Sequence, residues 1–143
     1  MFKKLLVSEW MASKLFTVDQ EDSTQKAFYL LKSNHVRFLP VLHQRELVGV
    51  VTDRDIRLAE HEAKVHGDFY NFNKPVPVKT VMTYNPIVLL PSDNLEAAAC
   101  LMVEKKIGGF PIVAGAHSKQ VIGVLTVSDV MRALIHVIHE KKL

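Results

Sequence analysis

The stretch Gly49-Val50-Val51-Thr52-Asp53-Arg54-Asp55 returns later in the chain as Gly123-Val124-Leu125-Thr126-Val127-Ser128-Asp129, and that recurrence limits the fold more than any other feature of the sequence. A shift of 71 positions carries Met11 onto Met82, Asp22 onto Asp93, Ala27 onto Ala98, Leu30 onto Leu101 and Pro40 onto Pro111. After a three-residue insertion the shift becomes 74 and carries Gly49 onto Gly123, Val50 onto Val124, Thr52 onto Thr126, Asp55 onto Asp129 and Ala59 onto Ala133. The chain is an internal duplication. In 143 residues each half has about 60, a size at which a lone core is marginal. The halves are therefore expected to pack on each other.

Each copy reads as strand, helix, strand, strand, helix, so the expected class is α/β (α+β) with two β-α-β-β-α repeats. A β-prone segment, Phe16-Thr17-Val18 or Ile87-Val88-Leu89-Leu90, precedes an acidic helix start at Asp22-Ser23-Thr24 or Ser92-Asp93-Asn94. The amphipathic helix runs to about Asn34 or Lys105, and a hairpin follows. Its strands are Phe38–Leu42 with Leu47–Val51, and Phe110–Val113 with Val121–Leu125. Pro40 and Pro111 cannot donate to a ladder, which places them at strand starts or edges and pushes the residues before them toward extended geometry. Glu60 to Val78 is polar and without sustained period, so it reads as a linker whose front end can extend the preceding helix. The expected domains are 1–60 for the first repeat with an N-terminal segment, 61–78 for the linker and 79–143 for the second repeat with a C-terminal helix.

At the repeated joint a β-branched run meets a threonine, and an aspartate stands three residues on as a helical pattern begins. That spacing is a capping box: the threonine oxygen satisfies an orphan amide while the carboxylate reaches back to the cap residue's own N–H. Capping explains the spacing within one copy, and ligand binding at the same atoms is compatible with it.

With 48% apolar and 23% charged residues the composition is that of an ordinary globular domain. No apolar run approaches the roughly 20 residues of a membrane span, and the N-terminal run ends at Ser8-Glu9-Trp10, short of a signal-peptide core. The expected location is the cytoplasm. Cys100 is the one cysteine and cannot form an intrachain disulfide. A formal charge of +3 is too weak to argue for nucleic acid as a partner, because the basic residues are scattered and interleaved with acids, so nucleic acid is not an expected partner.

A Met near the start, a strand, an Asp-initiated helix, an aliphatic-x-x-x-Pro-aliphatic segment and Gly-aliphatic-aliphatic-Thr-x-x-Asp, all twice in order, resemble the tandem cystathionine-β-synthase (CBS) domain pair, or Bateman module. The likeness covers about Val7 to Leu134. It implies two halves packed through their sheets about a pseudo-twofold axis, with two clefts that hold AMP, ADP, ATP, S-adenosylmethionine or NAD-type ligands. It also implies hybrid clefts. One would use Thr126, Ser128 and Asp129 with Phe16, Thr17, Val36, Arg37 and Phe38; the other would use Thr52, Arg54 and Asp55 with Ile87, Val88, Ile107, Gly108 and Gly109.

The chemistry suits those roles. An ionised aspartate accepts both hydroxyls of a ribose diol through charge-assisted bonds. Backbone groups beside the prolines can read the edge of adenine with Phe16 or aliphatics on its faces. Phosphates belong near helix N-termini, helped by Arg54 or Arg37.

Other candidates are weaker. His136 and His139, three apart, and His61 with His66 lack companions in metal-ligand spacing. Lys105-Lys106 and Lys141-Lys142 read as solvated helix ends. No nucleophile elbow, Walker loop or Cys/His pair occurs, so no enzymatic activity, no metal and no required cofactor are expected.

The expected function is a regulatory module sensing an adenine nucleotide, with an interaction scaffold of empty clefts as the alternative from another class. A homodimer is expected from apolar stripes that include Leu95, Ala98, Ala99 and Met102, and Val130, Leu134, Val137 and Ile138, and a disc of two modules is what the resemblance implies. An unidentified client protein is a further expected partner, and a membrane is not.

Overall fold

Why each repeat turns from its first strand into its first helix is visible in one side chain. In a computed structural model, which describes residues 5–65 and 76–141, Asp22 Oδ2 accepts from the Asp19 amide at 2.9 Å and Asp93 Oδ2 accepts from the Leu90 amide at 2.7 Å. The next residue is the N-cap: Ser23 Oγ accepts from Lys26 N at 3.0 Å and Asn94 Oδ1 from Glu96 N at 2.9 Å. Each cap satisfies one of the orphan donors of a helix start.

In chain order the elements are α1 (Val7–Trp10), β1 (Val18–Asp19), α2 (Thr24–Ser33), β2 (Phe38–His43), β3 (Glu46–Thr52), α3 (Asp53–Val65), a single 3-10 turn (Val78–Thr80), β4 (Thr83–Tyr84), α4 (Leu95–Lys105), β5 (Gly109–Val113), β6 (Val121–Thr126) and α5 (Val127–Lys141). Both hairpins form as expected, and both carry a register shift just after the proline-bearing stretch, between Val41 and Leu42 and between Ile112 and Val113. The helix after the first joint runs to Val65, into the expected linker, and residues 66–75 of that linker lie outside the described residues.

The chain packs as two units, one of residues 16–86 and one of residues 1–15 with 87–143. These do not coincide with the repeats as cut at 60 and 78, because the segment ahead of each repeat packs on the other repeat. In the first unit β4 pairs antiparallel with β3, Thr83 opposite Val50, and Ser23 bridges to Pro77. In the second, Ala12 bridges to Val124 and Leu6 to Asn94. The same 71- and 74-residue shifts relate these pairs. Matching amide bonds follow: Val78 N to Asp22 O at 2.8 Å and Val7 N to Asp93 O at 2.9 Å.

The crossing segments explain two of the repeated residues. A Cβ on Gly49 would lie 2.6 Å from Thr83 O and 2.8 Å from Met82 Sδ; on Gly123 it would lie 2.9 Å from Ala12 O and 2.9 Å from Met11 Sδ. Only a residue without a side chain lets the crossing backbone and its methionine come so close.

Each unit has its own core. Val18, Ala27, Leu31, Leu39, Val41, Val51, Ile56, Val78 and Met82 fill the first. Val7, Leu89, Leu95, Ala98, Met102, Phe110, Ile112, Leu125 and Ala133 fill the second. Leu95, Ala98 and Met102, expected on an outward stripe, thus face inward and serve the core. Of the second expected stripe, Leu134 and Ile138 are exposed, whereas Val130 packs against the core and Val137 is half-buried; with Val127, Met131 and Ile135 the exposed pair forms an apolar stripe on α5 at helical spacing.

Candidate functional site

Both joints carry the carboxylate half of the capping box that their spacing predicts, but only the first is reciprocal. At the start of α3, Asp55 Oδ2 accepts from Thr52 N at 2.9 Å and Thr52 Oγ1 accepts from Asp55 N at 3.0 Å. The reciprocal pair satisfies two donors at once. At the start of α5, Asp129 Oδ2 accepts both from Thr126 N at 2.8 Å and from the Thr126 hydroxyl at 3.2 Å. Its other oxygen, Oδ1, is paired with the guanidinium of Arg132, one turn further along the helix. Asp129 is 4% exposed, whereas Asp55 is half-buried.

The segments before the prolines are set by the ends of α2 and α4. His35 (φ 54°) and Lys106 (φ 55°) both take the left-handed conformation. Val36 N then reaches back to Leu31 O at 3.1 Å and Ile107 N to Met102 O at 3.2 Å. This is a Schellman ending built without glycine. It turns residues 36–38 and 107–109 into the hairpins, where Phe38 pairs with Thr52 and Gly109 with Thr126. Val127 N also donates to Gly108 O at 3.1 Å. Within each unit, the residues before the proline therefore sit beside that unit's own threonine.

The remaining expected residues divide by exposure. Arg54, Ser128, Arg37 and Gly108 are exposed, and so are Ile87 and Val88. Phe16 and Val36 are partly buried against the first core and Ile107 against the second, while Thr17 is half-buried. Phe38 is 9% exposed, so its ring is already covered. Beside the first joint, Lys32 Nζ lies 3.3 Å from Asp53 Oδ2, and Arg57 Nε lies 3.0 Å from Asp53 Oδ1 without hydrogen-bond alignment. These two cations are drawn to Asp53 and not to the cap residue.

Sequence reading missed Arg132 and the left-handed residues. Arg132 stands three after Asp129, a spacing that puts both on one helix face and could have flagged the pair. His35 and Lys106 carry no such signal.

A groove of about 710 Å³ on the second unit is lined by Trp10, Leu95, Val130, Leu134, His136 and Glu140 among others, and none of the expected ligand residues lines it. His136 Nε2 lies 3.1 Å from Glu140 Oε1, and its ring is 5.4 Å from that of Trp10. Among the described residues no group of three His, Cys, Asp or Glu could hold a metal, and His66 lies outside them. Among them, too, no helix is long and apolar enough to cross a membrane.

Comparison with known proteins identifies the repeats. The CBS domain profile matches twice, over residues 7–62 and 78–136. A CBS domain-containing protein of Dictyostelium discoideum is 30% identical over 139 residues, 94% of each chain. An inosine-5'-monophosphate dehydrogenase of Korarchaeum cryptofilum is 34% identical over 116 residues, 81% of this chain, which spans only 21% of the dehydrogenase. Among solved structures, CBSX2 in complex with AMP superposes with a TM-score of 0.77 at 32% identity, covering 92% of this chain and 97% of that one. CBSX2 is a CBS-pair protein from Arabidopsis thaliana.

Proposed function

Since the chain belongs to the CBS domain family, we propose that it is a regulatory module that binds an adenine-containing nucleotide, with AMP, ADP or ATP ahead of S-adenosylmethionine and NAD. The observation that carries this reading is the joint itself, built twice, with a carboxylate at the third position of a helix beside the helix's own N-terminal amides. The likeness to CBSX2, which was solved with AMP, supports it.

In this reading Asp55 and Asp129 grip the ribose hydroxyls. Thr52 and Thr126 hold those carboxylates in place, and the helix N-termini with Arg54, Ser128 and Arg37 receive phosphate. Phe16, Thr17, Val36, Phe38, Ile87, Val88, Ile107, Gly108 and Gly109 supply the walls and the backbone that meets the base. No step of chemistry is assigned to these residues; occupancy is reported to a client through shape or association.

Calorimetric titration with AMP, ATP, S-adenosylmethionine and NAD tests the reading. Asp55→Asn and Asp129→Asn keep an oxygen for the cap but remove the charge that holds a diol. Each should weaken its site by the roughly 1.5–3 kcal/mol of a hydrogen bond to a charged group. If both variants bind as the parent does, the ribose role is wrong. If no adenine compound binds or raises the melting temperature, the reading itself falls.

A second reading, a homodimerising scaffold, is favoured by the exposed stripe of α5, where five large apolar residues follow helical spacing. Soluble monomers rarely expose so continuous an apolar face. Sedimentation equilibrium decides it: a 16.1 kDa species at micromolar concentration would reject the dimer.

A further inference from the structure

The two joints share a sequence and differ in what stands one turn beyond the aspartate. The 74-residue shift that carries Asp55 onto Asp129 carries Leu58 onto Arg132. Arg132, whose side chain is 60% exposed, pairs with a carboxylate whose own side chain is only 5% exposed. With Thr126 N and Oγ1 on Oδ2 and Arg132 on Oδ1, both oxygens of Asp129 are engaged. At the other joint Leu58, 48% exposed, is an aliphatic that cannot make that pair.

We propose that Arg132 is the residue that ranks the two nucleotide sites: it occupies the oxygen of Asp129 that a ribose diol needs, so that the Asp55 joint fills first and the Asp129 joint fills only by displacing the guanidinium. The inference rests on the nucleotide reading above and adds an order of filling to it. An ion pair with one exposed partner is weak, so the arginine is a graded competitor and not a lock.

The test exchanges the two residues. AMP affinity is measured by calorimetry in an Asp55→Asn background, which leaves the Asp129 joint, and in an Asp129→Asn background, which leaves the Asp55 joint. Arg132→Leu in the first should tighten AMP by about fivefold, and Leu58→Arg in the second should weaken it by a similar factor. A weakening by Arg132→Leu would show that the guanidinium holds the phosphate, and an unchanged affinity would show that it does nothing; either overturns the proposal while leaving the nucleotide reading intact. Absence of AMP binding in the parent and every variant overturns both. A ligand-free readout stands beside these: Arg132→Leu alone should lower the melting temperature, because it strips the counter-charge from a buried carboxylate.

Discussion

In the unit of residues 16–86 both outer edges of the hairpin are closed by strands, Val18–Asp19 beside β2 and Thr83–Tyr84 beside β3. In its counterpart the same edges are held by single bridges, Leu89 to Ile112 and Ala12 to Val124. Register is identical and extent is not. At one edge the repeat shift sets Thr83-Tyr84 against Ala12-Ser13. Threonine and tyrosine favour a pleated surface where alanine and serine do not, and the Tyr84 hydroxyl is anchored on Lys79 O at 3.0 Å. The repeat thus sets where the edges pair, and at this edge the side chains accord with how far the pairing runs.

The largest effect that can sharpen this contrast is at the close approaches. Gly49→Ala and Gly123→Ala each drive a methyl into a backbone carbonyl, which cannot step aside as a side-chain end can. Each should cost about 1–3 kcal/mol, more at Gly49, where the approach is 2.6 Å against 2.9 Å. Urea unfolding that showed equal losses would mean that the bridged edge is as firm as the stranded one.

Next come the caps. Asp55→Ala removes one acceptor and should cost about 1 kcal/mol, whereas Asp129→Ala loses two bonds and an ion pair and should cost about 2 kcal/mol. Equal midpoint shifts would erase the difference between the joints.

A smaller change of opposite sign is expected at the left-handed positions. His35→Gly and Lys106→Gly relieve a conformation that L-residues adopt at a cost, and should stabilise by about 0.5–1 kcal/mol each. Because φ is 54° at one and 55° at the other, the two gains should match.

The smallest effect separates the units by charge. Lys79 lies 2.8 Å from Glu21 in the first unit, and the corresponding positions in the second are Ser8 and Ser92. The hydrogen bond from Lys79 holds Glu21 below its ordinary 4.5, and the one to Glu21 raises Lys79 above its ordinary 10.5. The contribution of Glu21 is therefore present above pH 4.5 and fades as pH falls through its lowered value; that of Lys79 is present below pH 10.5 and fades above its raised value. Both groups are exposed, so Glu21→Gln should lower the melting temperature slightly at neutral pH and not at all in strong acid or high salt. A loss that persisted in acid would point to a cause other than charge.

Much of this was legible beforehand. Strand alternation and turn residues marked both hairpins, and Thr-x-x-Asp marked both caps, because these signals are local. Asp22 and Asp93 were legible as helix starts, though each proved to stand one residue before the cap. What stayed hidden depended on partners distant in sequence. Met11 and Met82 were visible as a matched pair, as were Gly49 and Gly123, yet nothing in the residues says that Met11 meets Gly123 and Met82 meets Gly49. The left-handed turns at His35 and Lys106 lacked the glycine that would have announced them, and Arg132 was overlooked because a cap motif ends at its carboxylate.

The crossed segments also constrain how such a chain can have come about. A single ancestral copy carried one leading arm and one hairpin edge for an arm to cover. If the arm then lay where it lies now, on the other copy, the ancestor could complete its edge only by trading arms with a second molecule. On that route fusion would turn the trade between molecules into a trade within one, and a cut between the repeats of the present chain gives pieces that each leave with the other's arm.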